Sequence, residues 1–102
     1  MFENAYDCRF HSKTLLRYHI IFSTKHRYRC LNPIRDTVFS AFRDAESKSD
    51  IEILTMEIEW DHIHLLVSFP PTYSISQVVK RLKQMTTNFI YSHQYYYMRQ
   101  YY

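Results

Sequence analysis

His62 and His64 lie one residue apart inside the run Trp60-Asp61-His62-Ile63-His64-Leu65-Leu66-Val67-Ser68. The run reads as a β-strand, and successive strand side chains point to opposite faces. His62 and His64 therefore share one face, while Ile63, Leu65 and Val67 share the other. The apolar trio can sit on a core. The two imidazoles, about 6–7 Å apart along the strand, face outward within reach of one divalent metal ion. A metal site needs a further donor, and Glu57 and Glu59 on the preceding run can offer a carboxylate on the same sheet face. Glutamates on an open face are equally at home in plain solvent.

A second group of interest is Lys25-His26-Arg27-Tyr28-Arg29, a basic loop carrying one aromatic ring. Such a loop suits a phosphate backbone but is also compatible with a solvated charge run. Lys80, Arg81 and Lys83 read as a solvated helix face. Tyr91 to Tyr102 holds six of the ten tyrosines without a clean period. They can stack on bases or mark biased sequence.

These groups must be positioned by one domain, since 102 residues leave no room for two. A hydrophobic share of 46% and a charged share of 23% are those of an ordinary globular protein. The net charge of +3 suits a nucleic-acid partner without demanding one. No apolar stretch has the length of a membrane span, and the N-terminus lacks a signal-peptide core. Cys8 and Cys30 lack metal-type spacing and read as ordinary thiols, so a reduced, cytoplasmic protein is expected. Glycine is absent, which excludes any glycine-rich phosphate loop and leaves turns to Asn, Asp, Ser and Pro.

Five elements follow from the patterning. Residues 1–13 read as polar and irregular, and Leu15 to Ser23 as a strand. A helix is expected with Asn32 as N-cap and Pro33 at its first position, burying Ile34, Val38, Ala41, Phe42 and Ala45. Ile51 to Glu59 alternates as a strand, with Leu54, Met56 and Ile58 on one face and Ile53, Thr55, Glu57 and Glu59 on the other. Asp61 turns it into the histidine strand, making a hairpin that Pro70-Pro71 ends. Ser74 and Gln77 form a capping box for a helix burying Ile75, Val78, Val79, Leu82, Met85, Thr86, Phe89 and Ile90. The order β-α-β-β-α implies an α+β fold of ferredoxin-like or RRM-like type, an antiparallel sheet with two helices on one face. The histidines then lie on the open face.

Several enzymes with paired histidines are excluded. Histidine-triad nucleotide hydrolases want a third histidine where Leu66 stands. Cupin barrels need glycine-bearing turns, and 2H phosphoesterases need a hydroxyl residue two positions after each histidine. Asp61-His62-Ile63-His64-Leu65-Leu66-Val67 followed by Pro70-Pro71 instead resembles the signature of the single-tyrosine HUH transposases of small insertion sequences, the 200/605 type. Tyr18 to Arg27 is similar to that family's first strand and basic loop. Ser74 to Phe89 is similar to the helix after its histidines. The resemblance covers roughly residues 6 to 90, as one transposase domain over 1–102.

The resemblance implies a protein that cuts and rejoins single-stranded DNA at hairpin ends as a homodimer. His62, His64 and a further polar ligand would hold Mg²⁺ or Mn²⁺, and Lys25, His26, Arg27 and Arg29 would contact DNA. A tyrosine on a C-terminal helix would form the covalent DNA link. In that family a Trp-containing strand and the nucleophile's helix follow the segment ending at Tyr102. The chain is therefore expected to be truncated and cleavage-defective. Tyr96 and Gln100 imitate the family's tyrosine-to-ligand spacing of four but fall too early after His64. The alternative is a non-catalytic nucleic-acid-binding module using the open face. That reading expects aromatics where this chain has histidines and glutamates.

Overall fold

A computed structural model describes the backbone of residues 1–11 and 16–102, and the side chains of residues 1–3 and 16–102. Four strands form one antiparallel sheet: β1 (Phe2–His11), β2 (Leu16–Thr24), β3 (Glu52–Ile58) and β4 (His62–Phe69). Their order across the sheet is β1-β2-β4-β3, so β2 and the histidine strand β4 are central neighbours. Helices α1 (Arg35–Ser47) and α2 (Ile75–His93) provide the covering layer, and a short α3 (Tyr95–Met98) follows. This is the expected α+β architecture with one strand more at the β2 edge. The sequence expectation of an irregular N-terminus is corrected by β1, which pairs with β2 from Phe2 opposite Thr24 to His11 opposite Leu16. The expected start of β2 at Leu15 lies outside the described residues.

Phe2 shows why the first strand belongs to the fold. Its ring is buried 5.7 Å from Phe22 and 6.3 Å from Phe42, tying β1 to β2 and α1. The rest of the core is drawn from alternate strand positions, Ile20 and Phe22 on β2 and Ile63, Leu65, Val67 and Phe69 on β4. Both helices present the stripes expected of them. Val38, Ala41, Phe42 and Ala45 are buried on α1, and Val78, Val79, Leu82, Thr86 and Ile90 on α2. The Ser74–Gln77 capping box is present in both directions.

Two expectations are corrected in detail. Asn32 makes no side-chain cap. Asn32–Ile34 instead forms a 3₁₀ turn, and α1 begins at Arg35. On β3, Ile53 is buried and Leu54 is exposed, the reverse of the expected faces. The cause is a register shift between Ile53, opposite Val67, and Thr55, opposite Leu66. One extra residue in the strand inverts the alternation, so Ile53, Met56 and Ile58 all reach the core side.

Candidate metal centre and nucleic-acid interface

The alternation of β4 places His62 and His64 half-buried on the open face, with Ile63, Leu65 and Val67 fully buried beneath. His62 is held by its sequence neighbour. Its Nδ1 lies 3.0 Å from Asp61 Oδ1. A carboxylate only accepts, so Nδ1 carries the proton and, in the neutral ring, Nε2 keeps its lone pair for a ligand. The Asp61 carboxyl is held below the usual carboxylate range, first by this bond and then by Arg27.

His64 has a different partner, one that sequence reasoning missed. His19, on β2, brings its Nδ1 to 3.3 Å from His64 Nε2, with ring centroids 5.4 Å apart. The β2–β4 register explains the contact. Ile21 stands opposite His64 and His19 opposite Leu66, so His19 is the diagonal neighbour on the same face. The alternation of Tyr18, Ile20 and Phe22 with His19, Ile21 and Ser23 was the signal that could have found it.

Of the two candidate carboxylates, Glu57 lies opposite His64 on β3 and is exposed. Glu59 lies beyond the strand, in the hairpin turn, where its amide donates to the His62 carbonyl at 2.8 Å. Among the described residues, no three His, Cys, Asp or Glu side chains converge as a ready-made metal cage. The donor set nonetheless fits a divalent ion whose remaining positions are filled by water or phosphate oxygens, because two imidazoles and a carboxylate lie on one face.

The basic loop stands at the same end of the sheet as His62. Lys25–Arg27 forms a 3₁₀ turn in which His26 and Arg27 both take positive φ, 63° and 56°. Left-handed backbone costs a non-glycine residue about 1–2 kcal/mol, so the surrounding bonds must impose it. Arg27 Nη2 pairs with Asp61 Oδ2 at 3.0 Å. Thr24 Oγ1 donates to the Tyr28 carbonyl at 2.7 Å, and Tyr102 Oη to the Lys25 carbonyl at 2.7 Å. Lys25, His26, Arg27, Tyr28 and Arg29 are all exposed. Arg29 lies over the exposed Trp60 ring at 5.1 Å, and His26 against Tyr28 at 5.6 Å. Cations and aromatic faces are thus interleaved two residues from His62.

The tyrosine tail is also more ordered than its sequence suggests. Met98 is fully buried, and Tyr97 Oη donates to the Cys30 carbonyl at 2.7 Å. Tyr101 and Tyr102 flank Tyr28 at 5.7 Å and 5.6 Å. They buttress the basic loop from beneath. Burial raises the Tyr97 and Tyr102 phenols well above the usual tyrosine range, with Tyr101 adding to the effect on Tyr97 and the Cys30 side chain to that on Tyr102. Tyr95 and Tyr96 remain exposed. The Cys30 thiol is buried and its pKa is raised by that burial, as for an inert thiol.

The comparisons with known proteins agree on one family. A crystal structure of a candidate transposase from Deinococcus radiodurans R1 superposes with a TM-score of 0.76 at 27% identity, covering 88% of this chain and 69% of that one. The ISDra2 transposase TnpA of Deinococcus radiodurans is 38% identical over 69 residues, 67% of this chain and 49% of the relative. The transposase for insertion sequence element IS200 of Salmonella typhimurium is 32% identical over 82 residues, 79% of this chain and 54% of the relative. The chain spans about half the length of these curated relatives. The family model described as "Transposase IS200 like" matches residues 12–102, through the basic loop, the histidine strand, α2 and the tyrosine tail. This chain belongs to the IS200-like transposase family.

Proposed function

We propose that this chain is the metal- and DNA-binding part of an HUH-type transposase, acting on single-stranded hairpin ends of an insertion sequence as a homodimer. The observation that carries the reading is the shared Asp61 carboxylate. It orients His62 with one oxygen and anchors the basic loop through Arg27 with the other. A phosphate bound along the loop is thereby brought to the histidine face. His62 and His64 would hold Mg²⁺ or Mn²⁺, with Glu57 as the nearest register partner able to add a carboxylate. When bound, such an ion polarises the scissile phosphate.

The chain's own residues divide the remaining work. Lys25, Arg27 and Arg29 neutralise the backbone, and Arg27 is partly committed to Asp61. The exposed Trp60 offers ring surface to unpaired bases, which favours single strands over duplex. In-line attack needs a tyrosine oxygen that can lose its proton. Tyr97 and Tyr102 are poorly suited, because each donates to a backbone carbonyl and has a raised pKa. We therefore read the 102-residue polypeptide as binding ends without cleaving them. Its cations are gathered beside the histidines on the loop, which favours this reading over a module binding RNA-recognition fashion across the sheet.

The test is a pair of titrations. His62→Ala/His64→Ala should abolish Mn²⁺ binding seen by paramagnetic resonance. Replacing Lys25, Arg27 and Arg29 with Gln should flatten the salt dependence of hairpin binding by about 0.7 in log–log slope for each phosphate no longer neutralised. An unchanged salt slope would reduce the loop to a solvated charge run. Unchanged Mn²⁺ binding would remove the histidines from the site.

A further inference from the structure

His64 Nε2 points at His19 rather than being left open on the strand. Two nitrogens bound to one tetrahedral zinc-class ion at about 2.0–2.1 Å lie about 3.3–3.4 Å apart. His19 Nδ1 and His64 Nε2 stand 3.3 Å apart. The pair therefore already has the bite of a chelate. It is held on two hydrogen-bonded central strands, so little ordering is needed on binding. Glu57, opposite His64 on the other side, supplies the nearest carboxylate by register. Without phosphate oxygens to complete the shell, two imidazoles favour borderline ions such as Zn²⁺ and Co²⁺ over hard Mg²⁺, which prefers oxygen donors and retains its water.

We infer that His19 and His64 form a second, two-imidazole chelate for a zinc-class ion, sharing His64 with the pair that includes His62. The inference rests on the proposed HUH-type site only in that His64 serves both. His62 Nδ1 is bonded to Asp61, so its Nε2 is the nitrogen left for the first pair. His64 thus lies between two uses. With His62 it serves a hard ion completed by phosphate oxygens, and with His19 it serves a softer ion. Occupation of the second chelate withdraws His64 from the first, so Zn²⁺ competes with Mn²⁺ for this chain without competing for His62.

The experiment titrates the intact chain with Co²⁺, read by its visible absorption, followed by displacement with Zn²⁺. Parallel Mn²⁺ titrations are read by paramagnetic resonance. His19→Ala is expected to weaken Co²⁺ at least tenfold and leave Mn²⁺ within twofold. His62→Ala is expected to do the reverse, and His64→Ala to weaken both. His19→Gln, which keeps a polar side chain on the open face, replaces His19→Ala if circular dichroism shows the alanine variant unfolded. Co²⁺ affinity unchanged in both His19 variants overturns the chelate and leaves the HUH-type reading intact. Mn²⁺ binding indifferent to His62→Ala overturns that reading and leaves the chelate intact. Co²⁺ bound equally well by His64→Ala places the ion elsewhere and overturns the inference.

Discussion

Asp61 Oδ1 lies 3.0 Å from His62 Nδ1, while Oδ2 of the same carboxylate lies 3.0 Å from Arg27 Nη2. One side chain in a hairpin turn therefore sets both the proton position on a candidate ligand and the path of a loop carrying two positive-φ residues. Charge alone would explain the Arg27 pair. The second oxygen makes the arrangement a coupling between the histidine face and the basic loop.

Asp61→Asn should separate this coupling from mere stability. Arg27 is 62% exposed, so its ion pair is screened and the stability loss should stay below about 1 kcal/mol. Mn²⁺ affinity should fall by about tenfold, the usual effect of removing a partner that orients a metal-binding histidine. The pH dependence has a defined sign. A carboxyl held below its ordinary value stabilises the fold above about pH 4. That stabilisation is lost as pH falls through the lowered native value. The stability gap between parent and Asp61→Asn, from urea unfolding, should close as pH falls below about 4. A gap that stays open through that range would contradict the assigned carboxylate contacts.

The β3 irregularity makes a second prediction. Because the extra residue turns Ile53 inward and Leu54 outward, Ile53→Ala should cost about 2–5 kcal/mol as a core truncation. Leu54→Ala, at a position 37% exposed, should cost less than about 1 kcal/mol. The reverse order in chemical denaturation would mean that the strand runs without the shift, in the regular alternation that the sequence implies.

What the sequence made legible was whatever follows a strict period or a local chemical rule. The histidine strand, both helical stripes and the Ser74–Gln77 box are of that kind. Ile53 and Leu54 escaped because a single extra residue breaks the period, and two adjacent apolar residues give no sign of where. Phe2 escaped because a polar edge strand has little composition signal, although its burial against Phe22 and Phe42 closes the core. His19 escaped because its meaning depends on register. Forty-five positions separate it from His64, and only the β2–β4 pairing makes them neighbours. The tail escaped because its order comes from contacts with Tyr28, Cys30 and Lys25 rather than from any repeat.

The tail also decides the catalytic prediction. A nucleophilic tyrosine must reach the scissile phosphorus and give up its proton, and a buried phenol donating to a carbonyl resists both. Tyr97 is fixed on Cys30 and Tyr102 on Lys25, in the role of props for the basic loop. Tyr97→Phe should therefore cost about 1 kcal/mol of stability, the worth of one hydrogen bond. It should leave the products of DNA incubation unchanged. The 102-residue polypeptide, incubated with single-stranded hairpin ends and Mg²⁺, should give no covalent protein–DNA adduct on a denaturing gel. Tyr96, the most exposed of the tail at 79%, is the residue to challenge this. Its neighbours Tyr97, Tyr101 and Tyr102 pack on Cys30, Tyr28 and Lys25, which ties the tail to the basic loop. An adduct that forms with the parent and disappears in Tyr96→Phe would make the tail a catalytic element and overturn the structural role assigned to it.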